Sequence, residues 1–299
     1  MDYKVKSLDD GVGFVSHTGD NLPMLSTFKS MEGTGLSPKI GLSLCSGCAV
    51  KCAYCFTNGY QQFRVLTTQE IMGQANMVFD YCNDRKWLDH LGEFVIEEGF
   101  LCPQSEIKIS FKQMGDPLLN PTNTIATMVE LQSAYPKTVI GSGSTHPYVT
   151  FVVSTSGPKF KSNGQFFKRL NDFHSQVRLQ FSCHTTSETE IAVFCNKIEM
   201  MTLEEIAKIA NKSRHSVTLN FVMFKGYKYS ARKIKNLFDR HNVFIKINYI
   251  DKNKYTKAEG FEDMSLDKVK RFTDKLSRYG FNWQFRSEHT KGKRLEIVE

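Results

Sequence analysis

The feature that most constrains the fold is a repeat. From residue 39 onward, short apolar runs rich in β-branched and aromatic residues alternate with amphipathic segments. Runs over Lys39–Leu44, Glu106–Lys112, Val149–Ser154, Val177–Cys183, Val217–Phe224, Val243–Ile250 and Phe281–Arg286 have the length and composition of strands. The segments between them carry helix signals. Thr67 precedes Glu70, and Thr202 precedes Glu205, at the spacing of a capping box. After Ser265, Leu266, Val269, Phe272 and Leu276 share one helical face, which ends before Gly280. A repeated β-α order predicts a largely parallel sheet. Six such units with near-continuous apolar strands predict an α/β fold, an incomplete (β/α)6 barrel with its chemistry on the loops at the strand C-terminal ends. The barrel is expected over 39–280. Residues 1–38, weakly periodic, form an N-terminal appendage in this reading, and 281–299 a C-terminal strand and tail. The stretch GSGSTHP from Gly141 to Pro147 reads as a flexible loop.

A chain of 299 residues, 40% of them hydrophobic, can bury a sizeable core. Its sequence contains no apolar run long enough for a membrane span, and the polar start MDYKVKSLDDG lacks the features of a signal peptide. The expectation is a cytoplasmic protein with no membrane partner. Of eight cysteines, four fall between Cys45 and Cys55, a crowding that suits metal thiolates in a reducing compartment. Cys82, Cys102, Cys183 and Cys195 are scattered and read as small buried hydrophobes. The net charge of +8 favours an anionic partner. From Lys225 to Lys257, ten Lys or Arg stand against two Asp and are interleaved with aromatic residues, as where phosphates and stacked bases are held. A solvated helix face followed by a buried strand fits the same pattern.

Cys48, Cys52 and Cys55 form a C-x3-C-x2-C run directly after the first expected strand. Three thiolates on one loop can hold three irons of a [4Fe-4S] cubane and leave the fourth iron open to a ligand. S-adenosylmethionine (SAM) can chelate that iron through its amino and carboxylate groups. The alternative is zinc on the pairs Cys45/Cys48 and Cys52/Cys55. Zinc knuckles usually separate their pairs by a dozen or so residues, against three here.

These residues resemble the radical SAM adenosine methyl synthases of ribosomal RNA, the RlmN/Cfr group, over about Ile40 to Gly292. GCAVKCAYCFTNGYQQFRVLTTQEIMGQ matches the group's G-C-x3-C-x-F-C run and the Q-x-F/G-x-R-x-L and E-I-x-x-Q segments after it, with Tyr54 at the position usually held by Phe. QMGDPLLN resembles G-M-G-E-P-L-L-N, with Asp116 where Glu is usual. The resemblance implies a radical SAM barrel in which the cluster, on Cys48, Cys52 and Cys55, reductively cleaves SAM to a 5′-deoxyadenosyl radical. It assigns Gly115, Asp116 and Pro117 to the SAM amino group, the shorter Asp116 leaving some reach to the backbone. Ser154 of an S-T-S-G match, Ser182 and His184 of an I-S-L-H-like strand end, and Asn248 of a K-I-N match are implied as further SAM contacts. A flavodoxin- or ferredoxin-type electron donor and an RNA, DNA or nucleotide substrate follow from the same likeness.

Two departures stand out. The group moves a methylene through two cysteines outside the cluster. The first, seven residues before the first cluster cysteine, is Gly41 here. The second belongs near the C-terminus, where this chain reads Lys291-Gly292-Lys293-Arg294 without a following cysteine. The group's N-terminal accessory domain also has no counterpart in these residues. The expectation is a radical SAM enzyme that does not use the methylcysteine route. An RNA adenosine methyltransferase working by a modified route through Cys183 or Cys195, a protein activase, and a non-catalytic SAM and cluster binder remain as alternatives.

Overall fold

A computed structural model describes residues 2–8, 11–29, 39–83, 96–97, 100–101, 107–134, 149–173, 177–195, 198–250 and 253–286. One ten-stranded sheet organises them, with neighbours in sequence order. Its strands are β1 (Tyr3–Leu8), β2 (Gly11–His17), β3 (Pro23–Lys29), β4 (Lys39–Leu42), β5 (Ile107–Phe111), β6 (Val149–Thr155), β7 (Val177–Ser182), β8 (Ser216–Val222), β9 (Val243–Asn248) and β10 (Asn282–Arg286). From β4 to β10 every pairing is parallel, and β1 to β4 are antiparallel. Six helix-bearing crossovers link the seven parallel strands. β1 and β10 remain edges, so the parallel part is the partial barrel expected, six β-α units followed by a C-terminal strand.

The strands alternate, where sequence reading expected near-continuous apolar runs. On one face β5 to β8 each place a fully buried ring, Phe111, Phe151, Phe181 and Phe221. Phe181 meets Phe167 of helix Asn163–Asn171, and Phe221 meets Phe272 of helix Leu266–Arg278, so this is the helix-covered side. Burying such a ring stabilises by about 2 kcal/mol. The other face carries half-buried Val152, Ser154, Gln180, Ser182, Asn220 and Asn248. An open barrel leaves that face a cleft that water and ligand reach, which is why it tolerates amides and hydroxyls.

The first residues join the barrel's own sheet. β1, β2 and β3 form a meander whose last strand pairs with β4, Thr27 opposite Gly41, and so continue the main sheet. Their weak periodicity has a physical cause. Gly11 to Ser16 are all buried, so β2 has no solvent face to produce alternation. Both expected capping boxes form, Thr67 with Glu70 and Thr202 with Glu205. The 141–147 loop and the 291–294 segment lie outside the described residues. Among the described residues, no helix is long and apolar enough to cross a membrane.

Candidate functional site

The cysteine loop follows β4 directly. Cys45–Ser46 pairs antiparallel with Arg64–Val65 and closes the base of the loop. Gly47 sits at φ 72°, and a Cβ there would fall 2.2 Å from the Gln62 carbonyl oxygen, so the closure needs glycine. Inside the loop, the Cys55 amide donates to the Cys52 carbonyl (3.0 Å), and the Lys51 ammonium donates to the carbonyls of Asn58 and Tyr60. Two neighbours fix it from outside. The Ala53 amide donates to the Phe194 carbonyl (3.0 Å), and the Asn253 amide group donates to the Tyr54 carbonyl (3.0 Å).

Burial pushes the Cys48 thiol up, and the nearby Cys52 and Cys55 add to that. The Cys52 thiol is held up first by the Cys195 thiol beside it, then by burial. The Cys55 sulfur lies 3.0 Å from the Thr57 hydroxyl. Cys45, near enough to Cys48 to be pushed up by it after burial, packs its sulfur beneath Gly115 and Asp116, where a Cβ built on Gly115 would lie 2.6 Å from it. Gly115 therefore has to be glycine, at φ 89°. Among the described residues, no three ligating side chains converge on a point one ion could occupy. A cubane takes each thiolate on its own iron and does not require such convergence.

The remaining sequence-derived residues gather at the strand C-terminal ends around this loop. Pro117 opens a 3-10 turn, Pro117–Leu119, capped by Asp116. The Asp116 carboxylate is 4% exposed and accepts from the Leu118 amide (3.0 Å), the Thr155 hydroxyl (2.7 Å) and the Ser156 amide (2.7 Å). Burial pushes its carboxyl up to about 6 against those donors. Asp116 thus latches two loops together, and its side chain already has three partners within the protein. Ser154, at the end of β6, has a buried hydroxyl with no hydrogen-bond partner. Ser182 ends β7 opposite Asn220 of β8.

His184 is buried at φ 46°, an uncommon conformation for a non-glycine residue. Its Nε2 lies 2.7 Å from the Tyr54 hydroxyl, and burial pushes its imidazole down to about 4. The ring is therefore neutral at pH 7. Asn248, at the end of β9, donates through its amide to the Asn220 side chain.

Three features escaped sequence reading. Cys195, read as a core filler, places its sulfur 3.4 Å from that of Cys52. Asn220 orients Asn248 from the next strand, and only the parallel register brings the two together. At Gly41, a Cβ would meet the Gln113 amide nitrogen at 2.1 Å and the Thr27 hydroxyl at 2.6 Å, and these two groups bond each other (2.6 Å). The volume beside Gly41 is filled by Gln113. The replacement of a motif glycine by Gln113 was the available signal. Cys183 is buried, with its thiol directed at the Phe181 carbonyl (3.6 Å). The basic stretch is partly paired, Lys225 with Glu262 and Lys233 with Glu188 and Glu204.

The donor set fits a cluster and SAM. Three cysteines on one loop, with Cys52 and Cys55 disfavouring ionisation of Cys48, suit a cationic iron centre, and the orphaned Ser154 hydroxyl at the end of β6 suits a polar ligand.

No family model matches the chain. Curated relatives named probable dual-specificity RNA methyltransferase RlmN do. The protein from Petrotoga mobilis is 26% identical over 250 residues, covering 81% of this chain and 61% of its own. That from Listeria monocytogenes is 26% identical over 280 residues, covering 89% and 68%. The chain thus spans about three-fifths to two-thirds of their length. A crystal structure of a radical SAM methyltransferase from Sphaerobacter thermophilus superposes with a TM-score of 0.68 at 17% identity, covering 95% of this chain and 76% of that one. The chain is thus similar over most of its length to proteins named RlmN, and it shares the fold of a radical SAM methyltransferase.

Proposed function

We propose that the chain is a radical SAM enzyme that holds a [4Fe-4S] cluster on Cys48, Cys52 and Cys55, reductively cleaves SAM there, and acts on RNA. The observation that carries this reading is direct contact between the cysteine loop and the end of β7: the Tyr54 hydroxyl lies 2.7 Å from His184 Nε2. When bound, the reduced cluster and SAM supply a 5′-deoxyadenosyl radical. The protein's part is placement. The Ser154 hydroxyl, the neutral His184 ring and Ser182 give SAM a polar bed. The Gly115–Pro117 backbone, held by Asp116, would take its amino group. Asn248, held by Asn220, would be a further polar contact. The aromatic cluster of Tyr54, Phe194, Phe224 and Phe261 backs the loop and keeps water from that side. A flavodoxin or ferredoxin would supply the electron.

Gln113 and Thr27 fill the space a thiol at position 41 would need, which favours a radical that acts on substrate hydrogen or adds to a substrate atom over a relayed methylene. A second reading rests on Cys195, whose thiol beside Cys52 is the nearest candidate for a substitute methyl carrier.

Anaerobic reconstitution, dithionite reduction and mass spectrometry of the SAM-derived products test both. The first reading expects about four iron and four sulfide per chain, with methionine and 5′-deoxyadenosine as products. Cys48→Ala/Cys52→Ala/Cys55→Ala should lose the iron, whereas Cys45→Ala and Cys195→Ala should keep it. S-adenosylhomocysteine with methyl label on Cys195 would establish the second. Stoichiometric zinc in anaerobically purified protein would refute both.

A further inference from the structure

The basic stretch singled out by the sequence divides once its partners are known. Lys225 and Lys233 are spent in ion pairs, and Lys235 lies 5.0 Å over the Tyr279 ring. Arg232 is placed differently. It borders a hollow of about 450 Å³ between helix Ala231–Leu237 and helix Leu266–Arg278, together with Lys268, Arg271 and Lys275 of the second helix. The spacing of those three puts them on one helical face. All four side chains are exposed, and none is in an ion pair among the described residues. Among the described residues, no carboxylate lines the hollow.

Two tyrosines complete it. The Tyr229 hydroxyl is fixed between the Phe224 amide (2.8 Å) and the Val222 carbonyl (3.0 Å), so its ring stands rigid in the wall. Tyr227 lines the hollow and also packs on Phe194, with ring centroids 4.5 Å apart, inside the cluster that backs the cysteine loop. Met223, directly after β8, is part of the wall. The hollow therefore sits at the rim of the mouth, joined to the cluster loop by one layer of aromatic rings.

We propose that this hollow binds the phosphodiester backbone of single-stranded RNA next to the nucleotide presented at the mouth. Four like charges around one concavity repel one another unless an anion neutralises them, and a flexible polyanion does so without a dedicated carboxylate on the protein. The half-buried Tyr227 and Tyr229 rings beside them give the wall an aromatic edge that tolerates any base. Half-buried amides on the sheet face are left to read the target nucleotide itself. The inference rests on the reading of RNA as substrate.

The test is fluorescence anisotropy of a labelled, mixed-sequence single-stranded RNA oligonucleotide, titrated with the full chain over a range of salt. Each lost phosphate contact lowers the slope of log affinity against log salt by about 0.7 for single strands. Arg232→Ala/Lys268→Ala/Arg271→Ala/Lys275→Ala is expected to flatten the slope by about 2–3 and to weaken low-salt binding roughly tenfold to a hundredfold. Lys161→Ala/Lys168→Ala/Lys208→Ala/Lys212→Ala removes equal charge elsewhere and is expected to keep both slope and iron content. Binding by the native chain that the first variant leaves unchanged overturns the hollow alone. An equal loss in both variants also overturns it, since net charge would then suffice. A native chain that binds no RNA overturns the substrate reading and this inference with it.

Discussion

Asp116 offers the sharpest test of how the site is built, because resemblance makes it a SAM ligand and geometry makes it a latch. Asp116→Ala removes the acceptor for the Leu118 amide, the Ser156 amide and the Thr155 hydroxyl. The hydroxyl can rotate, and it still accepts from the Gly157 amide (2.9 Å). The two amides cannot move without breaking the turn. A buried donor left without a partner costs about 1–3 kcal/mol, so the pair costs about 2–6 kcal/mol. At roughly 2–4 °C per kcal/mol for a chain of this size, the metal-free protein should melt about 4–24 °C lower. Asp116→Asn keeps the volume and most of the acceptor capacity, and should lose only about 1–2 kcal/mol. Differential scanning fluorimetry of the metal-free chain reads the first quantity. Anaerobic calorimetric titration of the cluster-loaded chain with SAM reads the affinity. A latch lowers both together, because the Gly115–Pro117 loop loses its tie to Ser156. An Asp116→Ala protein that melts like the native chain yet binds SAM more weakly would refute the latch and make the carboxylate a direct ligand.

Ser154→Ala removes a buried hydroxyl that has no partner, so the metal-free chain should be no less stable, while SAM affinity falls several-fold; unchanged affinity would remove Ser154 from the site. Gly41→Cys must displace Gln113 from Thr27 and should cost about 1–3 kcal/mol by chemical denaturation, a cost that Gln113→Ala in the same chain relieves. If both variants are equally unstable, Gln113 is not what fills that volume. His184 has a folded-state value of about 4 against the usual 6.5, so its contribution is intact above pH 6.5 and is lost as pH falls from 6.5 toward 4. Urea midpoints at pH 7 and pH 5 should show about 2 kcal/mol of this loss in the native chain and none of it in His184→Asn. Parallel profiles for the two proteins would show that the imidazole is not held neutral.

The chain itself determined the order of strands and helices, the position of the cysteine loop after the first barrel strand, and both capping boxes. Each depends on neighbours a few residues apart, where periodicity and turn chemistry act. It also marked the Gly41 departure, although not that Gln113 fills the space beside it. Contacts between distant segments decided the rest. β2 hid from periodicity because both its faces are covered, and the alternation in β6 to β9 became meaningful only once an open sheet left one face to the cleft. Whether Asp116 reaches outward or latches inward depended on where the Thr155–Ser156 loop folds, 39 and 40 residues away. Cys195 came beside Cys52 across 143 residues, a juxtaposition that no local pattern encodes. The basic residues looked like one continuous stretch in sequence. Surface carboxylates pair with Lys225 and Lys233, and packing of the last helix beside the Ala231–Leu237 helix brings Arg232 together with three basic residues from outside the stretch around one hollow.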